Sequence, residues 1–263
     1  MKDLARRAVA VTQKMFELGN ERFEAEGALF VRSRSMPALH EVNHVSRVSA
    51  ATPQAIGRLL ARAEREFAGL PHLRFDLDAD TPTAFEARLA LDGYDPNPML
   101  VMALEGPLQG RPPKDAFDIR LVEGDSGWAD YEALHDVDWQ AYAEGDGSPA
   151  GRWTADEMLR GRRSKSPPMR YWLAYVDGSP RAYASSWEGV DGVGTAEDLY
   201  THPDVRHRGL ATALIHRCVD DARERGAGPI VIVAGPDDTP KNMYAALGFR
   251  PVAVTRHYWK SIG

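Results

Sequence analysis

The sequence predicts a mixed α/β fold in which two similar units follow one another, residues 1–110 and 111–263. Three observations carry this. Segments of strand-like and helix-like hydrophobic period alternate along the whole chain. The run Glu105-Gly106-Pro107-Leu108-Gln109-Gly110-Arg111-Pro112-Pro113 interrupts them, and its glycines and prolines favour turns and extended backbone over any regular element. The order helix, strand, short helix, strand occurs on both sides of that run. At 263 residues, 43% of them apolar and 27% charged, the chain has enough apolar material to bury a core.

In the first unit, Leu4, Ala8, Val11, Met15 and Leu18 recur at helical spacing. Strands are expected over Gly27 to Val31 and Val42 to Val48. Thr52 then caps a helix with Pro53 at its first position, and Ile56, Leu59, Leu60 and Ala63 face inward. His72 to Leu77 alternates as a strand, with Leu73, Phe75 and Leu77 on one side. Thr81-Pro82 opens a helix that ends at Gly93, and Pro98 to Leu104 is the closing strand.

The second unit opens with a strand over Phe117 to Val122 and a helix over Trp128 to Tyr142. A loop from Glu144 to Pro149 follows, then a short helix with Thr154 and Glu157 placed as a capping box, then a basic loop from Arg162 to Pro168. Arg170 to Val176, Arg181 to Trp187 and Gly194 to Tyr200 are strand candidates, with Asp177-Gly178 as the turn between the first two. A helix from Gly209 to Arg225 presents Leu210, Leu214, Cys218 and Ala222 on one stripe. Pro229 to Ala234 is an unbroken apolar run, as in a strand covered on both faces. A short helix from Pro240 to Leu247 and a strand from Phe249 to Tyr258 complete the unit. Leu91-Asp92-Gly93-Tyr94 parallels Leu247-Gly248-Phe249. Duplication of one unit accounts for the repeat, and so does coincidence among αβ units.

Charge and cysteine content narrow the function classes. Lys and Arg total 32 against 38 Asp and Glu, a formal charge of -6. That balance attracts neither nucleic acid nor anionic membrane in general, though a local basic patch can still hold phosphate. Cys218 is the single cysteine, so no intramolecular disulfide and no thiolate zinc cluster forms; as part of an apolar stripe it reads as a small hydrophobe. No metal site is expected. No apolar run approaches a membrane span or a signal peptide, and a cytoplasmic protein is expected.

The chemistry concentrates in Glu197-Asp198-Leu199-Tyr200-Thr201-His202-Pro203-Asp204-Val205-Arg206-His207-Arg208-Gly209-Leu210-Ala211. A strand enters a loop, and an amphipathic helix leaves it. Small residues at that junction let a ligand approach the backbone, while the helix start offers unpaired N–H groups and positive potential, so the segment is built for phosphate. It lacks the Gly-Lys-Ser/Thr of nucleoside-triphosphate loops and the Gly-x-Gly-x-x-Gly of dinucleotide sites.

This segment resembles the acetyl-CoA-dependent N-acetyltransferases of the GNAT superfamily. Arg206-His207-Arg208-Gly209-Leu210-Ala211 fits their Arg/Gln-x-x-Gly-x-Gly/Ala signature, and Tyr200-Thr201-His202-Pro203 resembles the strand end that leads into it. Asn242-Met243-Tyr244-Ala245-Ala246-Leu247-Gly248-Phe249 is similar to their second mark, a tyrosine in a short helix before Leu-Gly-Phe. The resemblance covers about Phe117 to Lys260. It implies two GNAT-like domains in tandem on a mixed sheet, the first partial or degenerate. Ser49-Ala50-Ala51-Thr52-Pro53 stands where the first unit would need its phosphate loop, and it has no basic residue, no glycine and one proline. No counterpart of Tyr244 occurs between Thr83 and Leu91.

What the resemblance implies for the site follows residue by residue. Acetyl-CoA would be held by Arg206, Arg208 and the backbone from His207 through Gly209, Leu210 and Ala211 to Thr212. Leu199, Tyr200 and Thr201 on the strand, and Asn242 on the short helix, would border it. Tyr244 would protonate the departing thiolate. Glu197 is the favoured general base over Asp198, because strand alternation sends the two to opposite faces; a water relay or an already neutral amine would also serve. Asp237 would order its loop or meet an ammonium group, and is equally a solvated turn residue. Trp139 and Tyr142, before the acidic loop, are candidates for a cleft wall suited to a cationic amine. The expected activity is acetyl transfer to a primary amine of a small molecule or peptide, by a monomer or homodimer. Two other readings stand beside it: a non-catalytic acyl-CoA-binding or scaffold protein, and an acyltransferase for another acceptor or acyl group.

Overall fold

The computed structural model describes residues 2–110, 117–145 and 155–261. The first half runs α1 (Lys2–Glu17), β1 (Glu21–Ala25), β2 (Ala28–Arg32), β3 (His44–Ser46), α2 (Pro53–Glu66), β4 (His72–Leu77), α3 (Thr83–Leu91) and β5 (Asp95–Leu104). The second runs β6 (Asp118–Leu121), α4 (Gly124–Gly145), α5 (Ala155–Lys165), β7 (Arg170–Val176), β8 (Ser179–Val190), β9 (Val193–Thr201), α6 (Leu210–Glu224), β10 (Ile230–Ala234), α7 (Pro240–Ala246) and β11 (Arg250–Ser261). The proposed capping residue Thr154, Trp153 and the linker's Arg111-Pro112-Pro113 end lie outside the described residues, as do the loop positions 146–149. Among the described residues no helix is long and apolar enough to cross a membrane.

Most elements form where local chemistry asks for them. Thr52 caps α2 by accepting the Ala55 amide at 3.3 Å, with Pro53 next, and Ile56, Leu59, Leu60 and Ala63 are buried. Three elements differ from the sequence reading. β1 pairs with β2 across its whole length, but its charged, largely exposed residues carry no strand period. β5 begins at Asp95 and includes Pro96 and Pro98; over that stretch it has only β11 as a neighbour, where a missing N–H breaks no ladder. Arg162 to Lys165 is the last turn of α5 rather than loop, and Arg162 and Lys165 are buried.

All strands join one sheet of order β1-β2-β3-β4-β11-β5-β10-β9-β8-β7-β6. Its centre shows an exchange. β5, the last strand of the first half, pairs antiparallel with β10 and β11, while β11, the last strand of the second half, pairs antiparallel with β4 and β5. Each half's closing strand is thus separated from its own sheet by the other's.

Apolar residues fill the space on both faces. α6 and α7 cover one face of the second half through Leu214, Cys218, Ala222 and Tyr244. α1, α4 and α5 supply Val11, Tyr131 and Leu159 to a second cluster that also holds Tyr171 and Tyr183 from the sheet. In the first half, α2 and α3 pack Leu59 and Phe85 on Phe30 and Phe75. The other side of β4 is buried too. There His72, Arg74 and Asp76 form a polar layer in which Arg74 binds Asp76 through two N–H groups, at 2.6 and 3.1 Å.

Candidate acetyl-transfer site

The site opens where two parallel strands part. β9 and β10 share only the register pairs Gly194 with Ile230 and Thr195 with Val231. Past these, β9 stays with β8 to Thr201 and β10 stays with β5 to Ala234. The resulting wedge strips backbone groups of their ladder partners. One of them, the Val233 N–H, donates instead to Glu197 Oε1 at 2.9 Å.

β9 also carries a bulge. Its register against β8 slips between the pairs Ser185–Glu197 and Tyr183–Tyr200, and Asp198 sits at φ 56°. Simple alternation, which was expected to send Glu197 and Asp198 to opposite faces, does not hold across a bulge. Asp198 accepts from Ser185 Oγ at 3.0 Å and lies 3.6 Å from Arg162 Nη2. Arg162 donates to the Tyr131 hydroxyl at 2.8 Å and lies over the Tyr131 and Tyr183 rings. Tyr183 in turn donates to Asp138.

Electrostatics separates the carboxylates. Burial first, and the Asp198 charge second, push the Glu197 carboxyl well above its ordinary range, against the pull of the Val233 amide and Lys165. Burial works the same way on Asp198, but Arg162, Lys165 and Ser185 outweigh it and hold that carboxyl low. A buried carboxyl raised by its surroundings inside a cleft is a candidate for proton transfer, and the ionised Asp198 beside it is one cause of the shift.

The phosphate-type loop is built as its sequence suggests. Arg206 Nε donates to the Thr201 carbonyl at 3.1 Å, which fixes the guanidinium beside the strand end. His207 and Gly209 both have positive φ, 62° and 92°. At Gly209 only a residue without Cβ takes this conformation freely, and it turns the chain so that α6 starts at once. Ala213 is the first residue of α6 to reach back, to the Gly209 carbonyl at 3.0 Å. The amides of Leu210, Ala211 and Thr212 precede it and face outward along the helix axis. Arg206, His207 and Arg208 are exposed; Leu210 is buried.

Tyr244 is buried on α7, with its ring 6.2 Å from Phe249. Burial, then the charges of Glu197 and Asp238, raise its hydroxyl above the usual tyrosine range. α7 is held to the start of α6 by Thr212 against Met243 at 4.0 Å. Among the described residues, Tyr200 Oη and Thr201 Oγ1 are buried without a hydrogen-bond partner. Leu199 packs on the core, and Asn242 is exposed two residues before Tyr244. Asp237 is exposed, and it is Asp238 that orders the loop, by accepting the Gly235 amide at 2.9 Å. Tyr142's side chain lies outside the described residues, and Trp139 is half-buried.

Residues 130–249 match the model of the Acetyltransferase (GNAT) family. Those residues form a GNAT acetyltransferase domain. Among curated proteins, no sequence relative matches the chain. Solved structures share its fold at low identity. A GCN5-related N-acetyltransferase from Kribbella flavida is 18% identical, with a TM-score of 0.70 over 98% of this chain and 96% of its own. A functionally unknown conserved protein from Staphylococcus epidermidis gives 16% identity and 0.69 over 92% and 94%. A tandem GNAT protein from the clavulanic acid biosynthesis pathway gives 15% identity and 0.59 over 90% and 78%. The tandem GNAT architecture therefore spans the chain, while the family match lies wholly in the second half.

Several residues around this candidate site give no signal in the sequence. The sequence reading puts Arg162 and Lys165 in a loop, although four further residues of helix-compatible sequence follow Arg162 before Pro167. Asp138 gave no signal. Neither did Glu41, a half-buried carboxylate of the first half that adds to the upward push on Glu197. His40-Glu41-Val42-Asn43-His44 has the His-Glu-x-x-His spacing of zinc helices, which corrects the sequence reading that the eight histidines contain no His-x-x-x-His pair. The structure puts these residues in a 3-10 turn and β3 instead of one α-helix. His40 contacts Arg74 Nη1 at 2.6 Å and His44 Nδ1 meets the Glu41 carbonyl at 2.9 Å, so each imidazole already has a protein partner of its own.

Proposed function

We propose that the second half moves an acetyl group from acetyl-CoA to a primary amine of a small molecule or peptide, by direct attack in a ternary complex. The observation that carries this is the β9–β10 wedge, which opens between the amides of α6 on one side and Tyr244 on the other. The orphaned Tyr200 and Thr201 hydroxyls and the unpartnered first amides of α6 fit a long ligand with a diphosphate. Leu210, Ala211 and Thr212 hold the diphosphate through backbone N–H groups, with Arg206 and Arg208 adding charge. When bound, acetyl-CoA supplies the activated acetyl group.

Glu197 serves as the general base. A carboxyl raised by burial is matched to neutral pH better than an ordinary one, and the Val233 amide fixes its orientation. Tyr244 serves as the general acid: its raised hydroxyl stays protonated and gives its proton to the departing thiolate. Residues 1–110 act as a unit without a cofactor loop. Thr52 spends its side chain on its own helix, and Pro53 has no amide to offer.

Calorimetric titration with acetyl-CoA tests the site, followed by thiol release with an amine panel. Ala211→Glu places a carboxylate in the first turn of α6, which suits the helix dipole but repels a diphosphate; acetyl-CoA affinity should fall about tenfold or more. Tyr244→Phe should bind acetyl-CoA as the wild type does and lose about a hundredfold in turnover. Unchanged binding by Ala211→Glu removes the loop from the site, and unchanged turnover by Tyr244→Phe removes the acid.

A further inference from the structure

The first half contains a cavity of about 840 Å³ between α1 and the sheet, a volume within the range of small-molecule sites. Its walls are α1 at Ala5, Val9 and Ala10, the chain leaving β3, the chain leaving β4, and β11 at Val252 to Val254. The position is telling. The cavity lies past the C-terminal ends of the parallel pair β3 and β4, as the acetyl-transfer site lies past β9 and β10. Arg47, just beyond β3, has φ 51°, the counterpart of Asp198 at 56° on β9. The two clefts share this backbone geometry, and the first has no phosphate loop beside it.

Its chemistry differs from that of the second half. Val254 is 49% exposed although β11 lies in the middle of the eleven-stranded sheet. β4 stops at Leu77, opposite Arg256, so from Thr255 back towards Arg250 β11 has only β5 as a neighbour. Alternate backbone groups on the open side therefore lack a strand partner. The polar side chains around the cavity are engaged with one another: Arg6 pairs with Asp80 at 3.2 Å, Arg47 pairs with Glu17, and Asp78 accepts from the Gln13 amide at 3.0 Å, the Asp80 N–H at 3.0 Å and the Thr81 hydroxyl at 3.1 Å. With those hydrogen bonds closed, the cavity offers apolar surface and a strand edge, and its polar side chains are already engaged.

We propose that this cavity is a second binding site, for a small, uncharged, mostly apolar molecule bearing an amide that hydrogen-bonds to the open edge of β11. It excludes phosphate-bearing ligands, since the start of α2 is capped by Thr52 and blocked by Pro53. The site is separate from acetyl transfer and stands or falls without it.

Saturation-transfer NMR on the full chain tests this, with N-acetyl-phenylalaninamide as the probe and phenylalaninamide and N-acetyl-phenylalanine as its cationic and anionic analogues. Coenzyme A is present throughout to occupy the second half. The uncharged amide should bind in preference to both analogues. Ala10→Trp, which fills the cavity from α1, should weaken it about tenfold or more, while acetyl-CoA titration stays as in the wild type. Val254→Asp, at an exposed position, should do the same and keeps the test readable if the tryptophan disturbs folding. No binding, a preference for either charged analogue, or binding that survives both substitutions overturns the site.

Discussion

Glu197 carries two duties that pull on the same proton. Its carboxyl satisfies the Val233 amide that the wedge orphans, and burial keeps it protonated further up the pH scale than an ordinary glutamate. The first half takes part in this through Glu41, whose negative charge disfavours ionisation of Glu197. Glu41→Gln removes that charge, so Glu197 ionises at lower pH. If Glu197 is the base, the acidic limb of the kcat/KM profile should move down by about half a pH unit; a limb that stays put separates the two carboxylates. A histidine gives the corresponding stability prediction. Burial draws the His44 imidazole down to about 4, with Asp76 opposing. Between pH about 6.5 and that value the unfolded chain holds the extra proton, so stability is full above the window and falls as pH drops through it, by up to about 3 kcal/mol. His135, also held at about 4 by burial, adds a fall of the same sign. The urea midpoint should therefore drop between pH 7.5 and pH 5, and drop less in His44→Asn. None of these environments was legible beforehand. The types of Glu197 and Tyr244 could be read from motif spacing, but burial and the reach of Glu41 exist only after folding.

At the scale of elements, reading succeeded where one physical signal dominated. The apolar run to Ala234, the stripe on α6 and the Thr52-Pro53 start of α2 each depend on local periodicity or capping, and each forms as expected. It failed where tertiary context decides. β1 is too polar to announce itself, the polar face of β4 is buried under a network instead of facing water, and the bulge at Asp198 breaks an alternation that sequence alone cannot locate. Gly194 shows how tightly the root of the wedge is made. A Cβ there would lie 2.7 Å from the Trp187 carbonyl and 2.8 Å from Ala227 Cβ, both close to fixed backbone. Gly194→Ala must push β9 away from the β8 end or from the loop before β10. A loss of roughly 2 kcal/mol or more in urea denaturation is expected, with weakened acetyl-CoA binding because the same residue forms, with Ile230, one of the two rungs that join β9 to β10. An alanine variant as stable as the wild type would show that the wedge root tolerates spreading.

The exchange of closing strands binds the scales together. From the sequence, the Gly- and Pro-rich run after Leu104 marks the end of a unit, and two units of domain size follow from it. The topology could not be read there, because a strand's hydrophobic pattern says that it is buried and not which neighbour buries it. With β5 set between β10 and β11, removing residues 1–110 would leave one side of β10 without its partner strand, although Ile230, Val231 and Ile232 are fully buried. It would also uncover the faces of α4 and α5 that meet α1 and the 3-10 turn, where Leu39 closes on Gly161. Two consequences follow for the whole molecule. Scanning calorimetry of the full chain should give one cooperative transition, because neither half can unfold without breaking the other's sheet. Residues 111–263 expressed alone should be insoluble or lack a cooperative transition, an unpaired apolar strand edge being an aggregation template, and should not bind acetyl-CoA. Two separate transitions in the full chain, or a soluble second half that binds acetyl-CoA unaided, would mean that the exchange is dispensable and that the first half's contribution lies in its own ligand site.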